Sequence, residues 1–135
     1  MPSWVGCENG HWGGRCREAA IKIAKNGALG KCSVQGCDSD VHYVVTLTFS
    51  NSGETHRYEL IKVFRTSTDS QVEENEYDPM IFLLSHLESK ELTIWSWYWT
   101  VSRKRTWHVG QFPPLLTVDN FRDAFNYFEL EIKPK

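Results

Sequence analysis

Cys7, His11, Cys32 and Cys37 are the residues whose types and spacing imply chemistry. Cys7 and His11 stand four apart around Glu8-Asn9-Gly10, and Cys32 and Cys37 bracket Ser33-Val34-Gln35-Gly36, so two short turns each offer a pair of donors. A glycine near the end of each turn suits a chain folding back around one ion, because glycine accepts positive φ. Three thiolates and an imidazole select zinc over calcium or magnesium, and four protein donors close a tetrahedral shell with no position left for water. The expected cofactor is therefore one Zn2+ ion in a structural role.

The fourth ligand stays open at this stage. Cys16 lies between the two turns, and Cys7, Cys16, Cys32 and Cys37 would make an all-thiolate set with His11 merely nearby. Four unmetallated thiols packed as small hydrophobes are the plainer alternative. All four cysteines fall in the first third of the chain, and the N-terminus has no basic region followed by an apolar run. That absence of a secretory leader points to a reducing, cytoplasmic setting, where thiolate–metal chemistry is favoured over disulfides. With no Cys-x-x-Cys, a redox role is disfavoured.

The layout over residues 4–37 resembles the Cys-x-x-Gly-His…Cys-x-x-Cys zinc ribbons and knuckles. The resemblance implies Cys7 with His11 as one ligand pair and Cys32 with Cys37 as the other. The second turn here has four intervening residues where the pattern has two, and Cys16 is additional.

The elements that must position these residues follow from periodicity. Arg15 to Lys25 has helix-forming composition between Gly13-Gly14 and Asn26-Gly27, with Cys16, Ala19, Ala20 and Ile23 on one stripe that places the Cys16 thiol toward the core. Val41 to Phe49 and Thr55 to Thr66 alternate around Asn51-Ser52-Gly53-Glu54, which predicts a hairpin. In that hairpin Tyr43, Val45, Leu47 and Phe49 share a face with Tyr58, Leu60 and Phe64, opposite Thr46, Thr48, Arg57 and Glu59. Ser67 to Asp78 is polar and acidic, which predicts a solvated loop. Asp78-Pro79 is expected to open a helix with Met80, Leu83, Leu84 and Leu87 on its buried stripe. A second hairpin is expected from Leu92–Val101 and Thr106–Val109 around Ser102-Arg103-Lys104-Arg105. Thr117 then caps a last helix with Val118, Phe121, Phe125 and Phe128 inward, and residues 129–135 add a short strand or fray. The fold class expected is α+β: an N-terminal zinc module with one helix over residues 1–40, then an antiparallel sheet of two hairpins with two packing helices over residues 41–135.

Of 135 residues, 41% are hydrophobic and 24% charged, the composition of a folded domain; fifteen Lys and Arg against seventeen Asp and Glu give a net charge of −2, so no global field draws the chain to nucleic acid. No stretch reaches the roughly 20 apolar residues that span a bilayer, which argues against a membrane partner. Trp95, Trp97 and Trp99 fall on one face of a strand, either as buried packing or as an aromatic platform. As a platform beside Arg103, Lys104 and Arg105 they would stack the bases of single-stranded RNA. No nucleophile, base and orienting carboxylate assemble from the scattered His42, His56, His86 and His108, and no phosphate-binding or His-Glu-x-x-His motif is present. The expectation is a non-enzymatic zinc-containing recognition protein binding RNA or another protein. The alternative is a small-ligand binder or enzyme using the Trp107–Pro114 loop, with zinc serving only the fold.

Overall fold

The computed structural model describes residues 3–49, 51–110 and 116–130. Six strands hydrogen-bond in simple sequence order, β1 (Ser3–Cys7), β2 (Val41–Thr48), β3 (Thr55–Arg65), β4 (Tyr77–His86), β5 (Leu92–Val101) and β6 (Trp107–Val109). The pairs β1–β2, β2–β3 and β5–β6 are antiparallel. So is β3–β4, with Leu87 N bonded to Arg57 O at one end and Thr66 N to Pro79 O at the other. Three helices are interposed: α1 (Cys16–Asn26), α2 (Asp69–Asn75) and α3 (Val118–Tyr127). The chain mixes α and β as expected, but a metal module followed by two hairpins and two packing helices is not what forms. Residues 3–7 are the first strand of the sheet itself, and one meander of six strands replaces the two hairpins.

The chain divides into two compact units, Met1–Val63 with Leu83–Ile94, and Phe64–Phe82 with Trp95–Lys135. In the first, the β2–β3 register sets Val45 opposite Tyr58 and Thr46 opposite Arg57, the facing that alternation predicts. Tyr43, Val45, Tyr58 and Leu60 are buried on one side, and α1 closes over them with Ala19, Ala20 and Ile23. Gly27 ends α1 in the left-handed conformation at φ 80°, its N–H bonded to the Ile23 carbonyl.

The second unit overturns two expectations. The segment read as a solvated loop contains α2, held by a capping box in which Thr68 and Gln71 exchange side-chain and backbone hydrogen bonds. The helix expected from Asp78-Pro79 is strand β4, with every residue from Asp78 to Leu84 buried. A strand covered on both faces is apolar at every position, and a continuous apolar run also satisfies a three-and-four helical spacing. Asp78 caps nothing: it is fully buried and accepts from Arg65 Nη2 at 3.0 Å and Nε at 3.3 Å, while Arg65 Nη1 reaches Asp69 at 2.6 Å.

Helix α3 does start from the Thr117 cap, reciprocated by Asn120. Its inner face is Ala124 and Phe128, with Phe121 and Phe125 half-buried, and Val118 is 75% exposed. The buried stripe therefore starts one turn later than expected. Leu116 and residues 117–130 are described, whereas residues 111–115 and 131–135 of the Trp107–Pro114 loop and the C-terminal stretch lie outside the described residues.

Candidate metal centre

The first turn grows out of β1. Cys7 N bonds to His11 O at 3.1 Å and Gly10 N to Cys7 O at 3.0 Å, closing a loop that needs φ 83° at Gly10. The returning chain lies along β1, with Gly13 N on Val5 O at 2.9 Å and a bridge between Gly6 and Trp12. Gly6 is obligatory in this arrangement: a Cβ there would sit 2.4 Å from the His11 carbonyl and 2.4 Å from the Trp4 ring. The second turn is fixed by Cys32 N to Ser39 O at 2.8 Å and Cys37 N to Val34 O at 3.0 Å, with Gly36 at φ 83°.

These turns bring Cys7, His11, Cys32 and Cys37 together, with one donor atom from each all within 4.8 Å of one another. Cys7 Sγ lies 3.8 Å from Cys37 Sγ and 3.4 Å from His11 Nδ1, and Cys32 Sγ is 3.5 Å from the same nitrogen. Two Zn–S bonds of ~2.3 Å at a tetrahedral angle put sulfurs ~3.8 Å apart, and one Zn–S with one Zn–N bond gives ~3.5 Å. A disulfide needs ~2.05 Å, so at 3.8 Å the cysteines are free thiols at a separation that fits two ligands of one ion. The four residues can hold a metal ion. His11 would bind through Nδ1, leaving Nε2 to carry the proton.

The surroundings favour thiolate at Cys37. Asn9 Nδ2 donates to Cys37 Sγ at 3.4 Å and to Ser39 Oγ at 3.2 Å, and Ser39 Oγ donates onward to Glu8 Oε1 at 3.0 Å. The Asn9 donor first, and the Ser39 backbone next, lower the Cys37 thiol to about 6. Cys32 is raised: a backbone hydrogen bond at Val34 lowers it, and burial with the neighbouring Cys37 and Cys7 thiols outweighs that. Cys7 is wholly buried and Cys37 is 9% exposed, so a bound ion would be shielded on one side.

Cys16 stands apart from this group. It opens α1 half-buried beside Tyr43, where burial pushes its thiol up and the Tyr43 hydroxyl opposes that. Its expected place in the core is therefore only partly taken up, while Ala19, Ala20 and Ile23 on the same stripe are buried.

The aromatic strand divides along its length. Trp99 is 5% exposed, paired opposite Val109. Trp95 and Trp97 are half-buried and stack on one another, centroids 5.3 Å apart and planes at 19°, with Phe82 against Trp95 at 5.8 Å. Their faces are turned to each other rather than outward. The Trp97 indole N–H is buried without a hydrogen-bond partner among the described residues. At the β5–β6 turn Arg103 and Lys104 are exposed, and Arg105 pairs with Glu76. Trp107 is half-buried on β6.

Sequence reasoning missed two groupings. Trp4 and Trp12, 42% and 71% exposed, flank the first metal turn, and their only sequence signal is proximity to Cys7 and His11. His56 and His86, thirty apart in the chain, meet with Nδ1 and Nε2 3.0 Å apart, and no sequence signal exists for that. No protein-family model, curated protein or solved structure matches this chain.

Proposed function

We propose that Cys7, His11, Cys32 and Cys37 bind one zinc ion as a structural site, and that the protein works by recognition, presenting surface residues that this site braces to a protein partner. The observation that carries the reading is the donor spacing: three sulfurs and one imidazole nitrogen all within 4.8 Å of one another, with three of the pairs at 3.4–3.8 Å, near the spacing of a tetrahedral zinc shell. Four protein donors saturate the ion, so it orients chain and offers no site for substrate. Trp12 and Trp4 stand exposed beside it, Trp4 laid over Gly6 and Trp12 bridged to it. Exposed tryptophans on a rigid support are the side chains that anchor protein interfaces.

A second reading, single-stranded RNA held by Trp95 and Trp97 with Arg103 and Lys104, keeps support from the partial exposure of the two indoles and the exposure of the two cations. It is the weaker one because Trp99 is covered and Arg105 is engaged with Glu76. Metal analysis of the purified chain tests the site: about one zinc per chain is expected, lost in Cys32→Ser. A chain that folds with its full stability and no metal would end the proposal. Titration with single-stranded RNA separates the partner classes. Salt-sensitive binding that falls on Arg103→Ala or Lys104→Ala would replace the protein-partner reading with the RNA one.

A further inference from the structure

We infer that His56 and His86 form a proton-sensitive latch, a chain of hydrogen bonds closed only while both imidazoles are neutral, which ties the β2–β3 loop to the β4–β5 turn and releases when a proton enters. The inference is independent of the metal centre. It begins at His86 Nδ1, which lies 3.2 Å from Glu88 N and 3.1 Å from Ser89 N. Backbone N–H groups only donate, so this nitrogen accepts both and carries no proton. The His86 proton is then on Nε2, which faces His56 Nδ1 at 3.0 Å. His56 Nδ1 must accept, so the His56 proton is on Nε2 and points to Glu54 Oε2 at 3.3 Å. One pair of tautomers satisfies every contact, and every ring nitrogen is used.

Two other roles fail on the same geometry. A metal on His86 Nε2 would require its Nδ1 to carry a proton, in direct conflict with the two amides that donate to it. A proton relay needs two open ends, whereas this chain stops at backbone N–H groups. What remains is a closure. A proton added to His86 sets Nδ1–H against the Glu88 and Ser89 amides, and one added to His56 sets Nδ1–H against His86 Nε2–H. Either breaks a link, and imidazole is the side chain whose charge ordinarily changes between about pH 5 and 8.

The groups facing the pair come from each neighbouring element. Phe49, just after β2, and Tyr58 of β3 pack against it, at 5.4 Å from His56 and 5.2 Å from His86. Glu54 is on the loop and Glu88, Lys90 and Glu91 are on the turn, with Ser89, Glu91 and Thr93 lining a cleft of about 280 Å³ beside the two rings, while Arg57, next to His56 in the chain, lies on the other side of β3 with Trp4, Val44 and Thr46. Glu54, Glu88 and Glu91 would draw a released imidazolium outward, while Lys90 opposes it. The turn itself depends on the same residue through its backbone, His86 N to Glu91 O at 2.9 Å and Lys90 N to His86 O at 3.0 Å.

Long-range ¹H–¹⁵N NMR on the full chain reads the tautomers directly. Above pH 7.5 both histidines should carry the proton on Nε2 only. On acidification toward pH 5, the amide protection factors of Glu88 and Ser89 should fall at least about tenfold. In His86→Asn the amide oxygen replaces Nδ1 as acceptor and cannot ionise, so those protection factors should hold constant with pH. Finding either imidazole protonated on Nδ1 at the alkaline end overturns the latch on the unaltered chain alone, whether or not the variant folds. So does acid-insensitive protection in the unaltered chain, or equal acid sensitivity in His86→Asn.

Discussion

Cys16 and His11 show how one residue's role turns on a few ångströms. Both are donors zinc accepts, and spacing alone leaves either as the fourth ligand. The fold puts His11 Nδ1 within 3.5 Å of two sulfurs and leaves Cys16 on α1 outside the group. His11→Ala is expected to weaken zinc binding by a hundredfold or more, since one ligand in four carries roughly a quarter of an apparent ~10–16 kcal/mol. Cys16→Ala should leave affinity unchanged. Asn9→Ala, which removes the donor on Cys37, should cost about 10–100-fold. Competition with a chromophoric chelator measures all three on one scale, and retained affinity in His11→Ala together with loss in Cys16→Ala would invert the ligand assignment.

At the scale of elements, the surprise is β4. Its Met-Ile-Phe-Leu-Leu run satisfies helical and extended burial equally, and Asp78-Pro79 is a good helix opening. What selects the strand is position between two partners, where the side chains from Asp78 to Leu84 are all covered. Asp78 is tolerable there because it is partnered, with Arg65 supplying two hydrogen bonds. Removing one member of a buried pair strands the other, so Asp78→Ala should cost about 3–5 kcal/mol in denaturant unfolding. Asp69→Ala touches the same Arg65 from an exposed site and should cost less than about 1 kcal/mol. Equal effects would show that burial does not govern this pair. α2 was open to discovery from sequence, because Thr68-x-x-Gln71 is a capping box; the acidic composition around it masked the signal.

At the scale of the whole molecule, the candidate metal site is continuous with the sheet, since Cys7 ends β1 and pairs opposite Val41. A bound ion would join that strand to the Cys32–Cys37 turn, with His11 and Cys32 twenty-one residues apart. Chelating the zinc should therefore lower the unfolding temperature and raise hydrogen exchange in residues 3–13 and 30–40, because ligation energy is folding energy for the segments it closes. Unchanged exchange there would show that the turns hold without metal. Among the described residues no helix is long and apolar enough to cross a membrane.

The sequence by itself determined the local features: α1 between its glycines, the shared face of β2 and β3 from Tyr43 to Leu60 (beyond it Val63 is buried in place of the expected Phe64), the β5–β6 turn, the Thr117 cap, and the pairing of donors into two turns. Each rests on interactions within a few residues of one another, which periodicity and capping chemistry report. The tertiary structure decided what depends on remote neighbours. It drew residues 3–7 into the sheet, covered β4 on both faces, and buried Trp99 while standing Trp95 and Trp97 against each other. It also brought His56 to His86 and His11 to the three thiols. Burial and donor geometry are properties of what packs against a residue, and for these residues the packing partner is distant in the chain.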